Sequence, residues 1–420
     1  MFLFYSGIVP VYNRNPYISL VPKENVVRLE GYVSSNPVKI SSGNFYRCSF
    51  DLTNAWGRLD FIGTRGEGFV SSEARGRVSL YIPSAFVESH YPGRLYSAAN
   101  TKQRRNAVLV ETGARFVFDA KYSLNGFSSN PGALPAFFAT TGESKGFDRT
   151  IRGRIAFLRG LCRLELKRIL FSWKEAGGLL LALLCGSGEY TDFELSSAFR
   201  YAGLAHILAL SGMHLSFFSG LASFTSRCFG KRLSDFFALL VVFCFVWFAG
   251  LTPSLFRAML CTLLSSVSGL CGFRMPMLRI LAFSFVIHVC IVPQDLFQLS
   301  FQLSYGSLAG ILVFGRFFEP LFYRVFPSCI SSGLCASGGA QIISAPISLA
   351  KFGFFAAGGI IASVVVSPLV LFFLGAGLFS VVAVLLFPES SAVLGVGLNL
   401  VYNCICMVVR FFARLPVLEI

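Results

Sequence analysis

The feature that most constrains this chain is the point at which its apolar residues stop being interrupted. Residues 13–176 have an ordinary soluble mixture, whereas from Gly177 onward the sequence is mostly apolar and broken only by short polar loops. An α-helix needs roughly 20 mostly apolar residues to cross the hydrocarbon core of a bilayer. Several such stretches follow one another here. The chain therefore reads as a polytopic α-helical membrane protein preceded by a soluble domain. Composition agrees: 54% of residues are hydrophobic and 14% charged, with a mean hydropathy of +0.66, against about 25% charge in a soluble domain.

Spans are expected near 203–224, 236–251, 254–273, 278–293, 299–315, 333–350, 355–387 (long enough for two) and 392–409, about eight crossings in all. The transmembrane region as a whole covers 177–410. Residues 177–185 are too few to cross and suit a re-entrant or interfacial piece. Residues 151–176 interleave Arg152, Arg154, Arg159, Arg163, Lys167, Arg168 and Lys174 with apolar positions, as in an amphipathic helix lying on a membrane surface. Residues 1–12 are apolar, lack a basic leader region and are too short to span, so they read as a stub or an interfacial segment. Loop charge orients the bundle. One side receives Arg227, Lys231, Arg232, Arg274, Arg279, Arg316 and Arg324; the other receives Glu189, Asp192, Glu194 and Asp295. Basic loops face the cytoplasm, which puts residues 186–200 outside.

The formal charge is +15 and the pI about 9.5. Basic cytoplasmic loops facing anionic lipid explain this, and so does a polyanionic substrate. Twelve cysteines form no C-x-x-C pair, so their spacing points to no structural zinc site.

The soluble domain, 25–125, reads as β structure. Short alternating runs lie at 26–33, 45–52, 58–62 and 77–82, and Ser41, Ser42, Gly43 and Asn44 suit a hairpin. Thr112 and Gly113 suit a second hairpin, between 107–111 and 115–120. Five or six short strands in about 100 residues suggest a small OB-like barrel. Residues 1–150 carry 17 Lys and Arg against 11 Asp and Glu. Arg47, Arg58, Arg65, Arg75 and Arg77 sit among Phe45, Tyr46, Trp56 and Phe61, and residues 94–105 form a basic loop. Basic grooves with aromatic platforms bind single-stranded nucleic acid; core aromatics with a solvated basic face would look the same.

Polar groups in hydrocarbon are costly and each needs a reason. His206 and His214 flank Ser211 and Gly212. In a continuous helix they would point within roughly 80° of each other and line one side of a cavity. A metal pair favours i, i+4 spacing, and a Ser211–His hydrolase needs an orienting carboxylate; neither is visible. Arg257 follows Pro253 and Ser254, where it either snorkels or faces an aqueous path. Gln298 and Gln302 are four apart, on one helical face. Gln341 with Pro346 interrupts one span and Pro368 another. Together these suggest a hydrated route through the bundle.

The segment Ala198-Phe199-Arg200-Tyr201-Ala202-Gly203-Leu204-Ala205-His206-Ile207-Leu208-Ala209-Leu210-Ser211-Gly212-Met213-His214 resembles the signature of the ComEC competence family, the inner-membrane channel that brings transforming DNA into bacteria. Supporting resemblance lies at 181–189, 253–258, 301–304, 341–352 and 366–369. It implies an OB-like barrel on the outer face and a polytopic domain conducting one DNA strand. It also implies channel roles for His206, Ser211, Gly212, His214, Arg257 and Gln302. Partners implied are single-stranded DNA, membrane lipids, a separate nuclease, a DNA receptor and a cytoplasmic helicase or translocase. The sequence departs from related ones in three ways. Their extra N-terminal membrane helices are reduced here to residues 1–11. There is no C-terminal metallo-β-lactamase-like domain, and the four histidines form no HxHxDH-type cluster. Ser363 stands where Asn is frequent. No GxxxxGK[ST] motif is present. The expectation is therefore a channel that is not itself a nuclease or nucleotide hydrolase and that carries no cofactor. An intramembrane hydrolase or lipid-handling enzyme using His206, Ser211 or His214, and a degenerate non-conducting homologue, remain as alternatives.

Overall fold

The computed structural model describes residues 17–40, 44–60, 67–89, 110–123, 134–187, 191, 193–272, 275–416 and 418–419. Arg65, the 1–12 segment and the 94–105 basic loop lie outside the described residues. The chain divides into two compact units, Met1–Phe171 and Ser172–Ile420.

The first unit is a sheet domain. Its strands are β1 (Val26–Val33), β2 (Val38–Lys39), β3 (Phe45–Asp60), β4 (Glu67–Glu73), β5 (Arg77–Pro83), β6 (Arg115–Tyr122) and β7 (Ala136–Gly146), with helices α1 (Ser84–Ser89) and α2 (Ile151–Phe171). β1 is antiparallel to both β3 and β6, β6 to β7, and β5 to β3, while β5 and β7 run parallel. The pairing path β1-β6-β7-β5-β3 therefore returns to β1. Alternation sets the faces. On β3, Tyr46, Cys48, Phe50 and Leu52 are buried, and Val78, Leu80 and Ile82 join them from β5. Phe116, Phe118 and Phe137 complete this core, with the Phe50 and Phe118 rings edge to face at 5.7 Å.

Several expectations change. The run at 45–52 and the described start of the run at 58–62, Arg58 to Asp60, belong to one 16-residue strand, β3, which changes partners along its length. Most of the first arm of the hairpin expected at Thr112–Gly113, residues 107–109, lies outside the described residues; the turn itself docks on the end of β1, with Gly113 N–H donating to Val33 O and Val33 N–H to Ala114 O. β4 and β7 were not expected, and β7 carries the sheet beyond residue 125. Helix α2 forms, but its basic side chains are not all on an outer face. Arg163 and Lys167 are buried beside buried Glu111, with Arg163 Nε 3.4 Å from Glu111 Oε2 and Lys167 Nζ bonded to Oε1.

The second unit is helical. It contains α3 (Lys174–Cys185), α4 (Phe193–Tyr201), α5 (Ala205–Leu208), α6 (Gly212–Ser226), α7 (Lys231–Ala249), α8 (Pro253–Leu270), α9 (Met277–Ile291), α10 (Leu299–Phe314), α11 (Glu319–Phe322), α12 (Ser328–Phe352), α13 (Gly359–Leu386) and α14 (Ser391–Ala413). Among the described residues, four segments are long and apolar enough to cross a membrane: Pro253–Leu270, Ile330–Lys351, Gly359–Leu386 and Pro388–Ala413. Leu233–Ala249 and Met277–Ile291 are apolar but shorter. Residues 355–387 hold one 28-residue helix, not two spans, and Pro346 and Pro368 lie inside helices that continue through them.

Helix α13 shows why this unit belongs in lipid. Ala362, Val366, Val370, Phe373, Gly377 and Val381 are buried at helical spacing, while Phe372, Phe379, Leu385 and Leu386 on the remaining surface are exposed. A helix apolar all round, with large side chains on its outer face, suits hydrocarbon and not water. Within the unit, α10 and α12 approach closely through glycine. A Cβ at Gly310 would lie 2.4 Å from the Gly339 carbonyl oxygen.

Candidate functional site

The segment expected as a span at 203–224 is broken. Helix α4 ends in a Schellman arrangement, with Leu204 N–H donating to Phe199 O at 2.7 Å and Gly203 N–H to Arg200 O at 3.1 Å. Gly203 supplies the left-handed φ of 75° that such an ending needs. One turn of α5 follows. Ala209 and Ser211 are then extended (ψ 136° and 171°), and α6 starts at Gly212. Unwound backbone inside a membrane bundle must find partners. Here the Ser254 hydroxyl donates to Leu210 O at 2.6 Å. Ser254 is placed by the start of α8, where Thr252 Oγ1 accepts the Leu255 N–H at 3.4 Å and Pro253 occupies the first turn. The starts of α6 and α8 thus meet at the break.

Ser211 is the N-cap of α6. Its N–H lies 3.3 Å from His214 Nδ1 and its Oγ 3.2 Å from the same atom. His214 is fully buried, and its Nε2 has no hydrogen-bond partner among the described residues. Arg257, one turn into α8, is 8% exposed. Its Nη1 donates to Ser304 O on α10 at 2.6 Å, and its Nε is buried without a hydrogen-bond partner among the described residues. Gly212 makes room for it: a Cβ there would stand 3.0 Å from Arg257 Nη2. Ser211, Gly212, His214, Arg257 and Ser304 are thereby brought together.

Other expected residues lie elsewhere. The break resets the helical phase, so His206 and His214 do not line one side of a continuous helix; His206 is exposed on α5 while His214 is buried. Gln298 Nε2 donates to Asp295 Oδ1 at 2.7 Å and Gln302 Nε2 to Leu296 O at 3.2 Å, so both carboxamides secure the 3-10 turn Pro293–Phe297. Gln341 Oε1 accepts from Ser344 Oγ at 3.4 Å on its own helix. Ser363 Oγ is 2.8 Å from Ser337 Oγ, linking α13 to α12. Among the described residues, no three His, Cys, Asp or Glu side chains form a group that could hold a metal.

In the sheet domain, Tyr46 is buried in the core and Arg77 is bound by Asp51, at 2.6 and 3.1 Å. Arg47 and Arg58 are exposed, and Phe45 and Trp56 are half-buried. The sequence reading missed Tyr81 and Phe138. Their rings stack at 4.7 Å, and Phe45 meets Phe138 edge-on at 5.4 Å. Arg47 pairs with Tyr81 across β3 and β5, so this aromatic group carries a cation on its rim. Two dipeptides, Phe45-Tyr46 and Phe137-Phe138, each put one ring into the core and one outside it, which is the signal that strand alternation offers.

The family model described as "Competence protein" matches residues 183–420, more than half of the chain. "ComE operon protein 3" of Bacillus subtilis (strain 168) is 24% identical over 147 residues, 34% of this chain and 19% of that protein. An "Uncharacterized protein" of Aquifex aeolicus (strain VF5) is 26% identical over 235 residues, 56% of this chain and 53% of that protein. The chain thus matches about half of one relative's length or less. No solved structure matches. The matched stretch includes the α5–α6 break, Arg257 and Ser304, and the chain belongs to the Competence protein family, as a ComEC-type competence protein.

Proposed function

We propose that this chain is a multi-pass protein of the bacterial inner membrane that conducts one strand of transforming DNA, with the α5–α6 break on its path. The observation that carries this reading is the buried Arg257 guanidinium beside an unwound segment and a helix N-terminus. Discontinuous helices whose N-termini face anionic cargo are a recurring transporter device, and DNA cannot cross hydrocarbon unaided. The family's name supports a role in competence. We read the returning strand path of the sheet domain as an OB-like barrel, and its half-buried Phe45 and Phe138, backed by the buried Tyr81 and flanked by Arg47, as a platform for single-stranded DNA. Basic loop positions put residues 186–200 on the outside. A separate nuclease, a DNA receptor and a cytoplasmic helicase or translocase complete the scheme, since this reading assigns the chain neither nuclease nor nucleotide-hydrolysing activity.

The test uses cells carrying the full-length protein. Arg257→Gln and His206→Ala should lower internalisation of labelled DNA while leaving surface-bound DNA unchanged. Normal internalisation by both variants would overturn the assignment.

The Ser211–His214 contact favours a second reading, a hydrolase. In that geometry the ring atom facing Ser211 is Nδ1 and the far nitrogen is unpartnered, so no carboxylate orients the ring as a catalytic base requires. Covalent labelling of Ser211 by a serine-reactive phosphonate would support the hydrolase; an unlabelled Ser211 in folded protein would count against it.

A further inference from the structure

Arg257 carries a charge that its surroundings do not balance. A guanidinium does not give up its proton in proteins. Here it is 8% exposed on a span-length apolar helix, and among the described residues no carboxylate pairs with it. Nη1 is taken by the Ser304 carbonyl, Nε is buried and unpartnered, and Nη2 lies against Gly212. An unpaired cation in so little water is strongly unfavourable. An anion is the kind of partner that would balance it.

Apart from the Ser304 carbonyl and the Ser211 hydroxyl, the groups named around it are donors. Gly212 opens a 15-residue helix with no acidic residue in its first turn; the Ser211 side chain takes the third N–H, and the N–H groups before it have no acceptor within the helix. The positive end of the helix dipole adds to their pull. His214 Nδ1 accepts the Ser211 N–H, so the neutral ring carries its proton on Nε2, a further buried donor without a partner. A donor-rich set suits an acceptor-only ligand. Base edges present donors and acceptors together; the phosphodiester backbone presents acceptor oxygens alone, in a geometry that a guanidinium fork matches.

We propose that Arg257 and the first turn of α6 form a subsite for a single backbone phosphodiester of the DNA strand. This rests on the uptake reading and specifies it: the grip is on the backbone, so passage is independent of sequence.

The test uses the full chain in phosphatidylcholine nanodiscs and a fluorescent short oligothymidylate, with binding followed by anisotropy across salt concentrations. Arg257→Gln should weaken binding about tenfold or more. It should also flatten the slope of log affinity against log salt by about 0.7, the loss of one single-strand phosphate contact. Gly212→Ala keeps the charge but crowds Nη2, and should weaken binding as well. An oligothymidylate with uncharged methylphosphonate linkages should bind wild type and both variants alike. Unchanged affinity and slope in monodisperse Arg257→Gln and Gly212→Ala proteins would overturn the subsite. So would a lipid outcome: one fewer phosphatidylglycerol retained by Arg257→Gln in mixed-lipid nanodiscs, with oligonucleotide binding unchanged. Binding is read without transport, so the two claims separate. A flattened slope with normal cellular uptake would sink the uptake reading and leave the subsite standing; an unchanged slope with lost uptake would do the reverse.

Discussion

His288 Nε2 lies 3.0 Å from Asp295 Oδ2, while Nδ1 of the same ring faces the Tyr305 hydroxyl at 3.3 Å. This chain of contacts ties α9 to the 3-10 turn Pro293–Phe297 and to α10, the helix whose Ser304 carbonyl receives Arg257. The imidazole is fully buried, with the Phe256 and Phe301 rings edge-on to it at 4.6 and 4.9 Å. The Tyr305 hydroxyl donates to Ser284 O at 3.1 Å, so the contact runs on from the ring into α9. Asp295→Asn weakens one of these bonds and leaves buried groups mismatched, a cost of about 1–3 kcal/mol. The check is a double-mutant cycle with His288→Asn on the thermal midpoint of the detergent-solubilised protein. Contacting residues should give a non-additive double mutant; strictly additive losses would mean that the contact carries no coupling.

Glu111 is a second buried hinge of charge, in the sheet domain. Burial opposes its ionisation, but Lys167 and Arg163 beside it prevail and hold its carboxyl below the ordinary glutamate value of 4.5. A carboxyl whose folded value is depressed stabilises the fold above its unfolded value, and that contribution is lost as pH falls toward the folded one. Protection of the Glu111 turn and α2 against hydrogen exchange should therefore fall on acidification below about pH 4.5. Glu111→Gln should cost about 3–5 kcal/mol by removing the one negative charge set between two buried cations, and should abolish that part of the pH dependence. A variant that kept both the protection and its acid sensitivity would contradict this.

The strands at 26–33, 77–82 and 115–120 were legible because alternation with one buried face is a short-range signal. So was the membrane character, which needs only length and apolarity. The break at 209–211 was not, because Leu204 to Leu215 is uniformly apolar apart from Ser211, Gly212 and the two histidines. Small residues signal close approach and unwinding equally. Ser211, Gly212, His214 and Arg257 were nevertheless picked out, since polar groups in an apolar run stand out individually. Their convergence with the Ser304 carbonyl was hidden, as was the His288–Asp295 contact. Asp295 read as a loop charge and His288 was not singled out; only the fold of the turn between them brings the pair together.

The glycine contact between α10 and α12 should be sensitive to a single methyl. A Cβ at Gly310 would meet Gly339 O at 2.4 Å, backbone that cannot swing aside, whereas at Gly220 on α6 it would meet nothing within 4 Å. Gly310→Ala must separate the helices, at about 1–3 kcal/mol. Gly220→Ala should be neutral or stabilising by up to about 1 kcal/mol, since it restrains the unfolded chain and favours helix. Thermal midpoints of the two variants in the same detergent decide the matter, and equal shifts would mean that α10 and α12 are less tightly apposed than the backbone distances require.

Phe138 lies outside the core, yet it is the ring on which Tyr81 stacks and Phe45 abuts. Trimming a platform ring removes base stacking worth about 1–3 kcal/mol per base, whereas trimming a core ring unfolds the domain. The two cases separate experimentally. Phe138→Ala should lower the affinity of the full-length protein for single-stranded DNA about fivefold or more, with little change in hydrogen-exchange protection of β5 and β7. Phe137→Ala, one residue earlier and fully buried, should lower protection throughout the sheet, by about 3–5 kcal/mol. The salt slope should be unaffected by Phe138→Ala and reduced by Arg47→Ala, because a ring contributes no counterion release and a guanidinium does. If Phe138→Ala left affinity untouched while Arg47→Ala changed it, the domain would be holding DNA by charge alone, and the aromatic group would be only a patch of sheet packing.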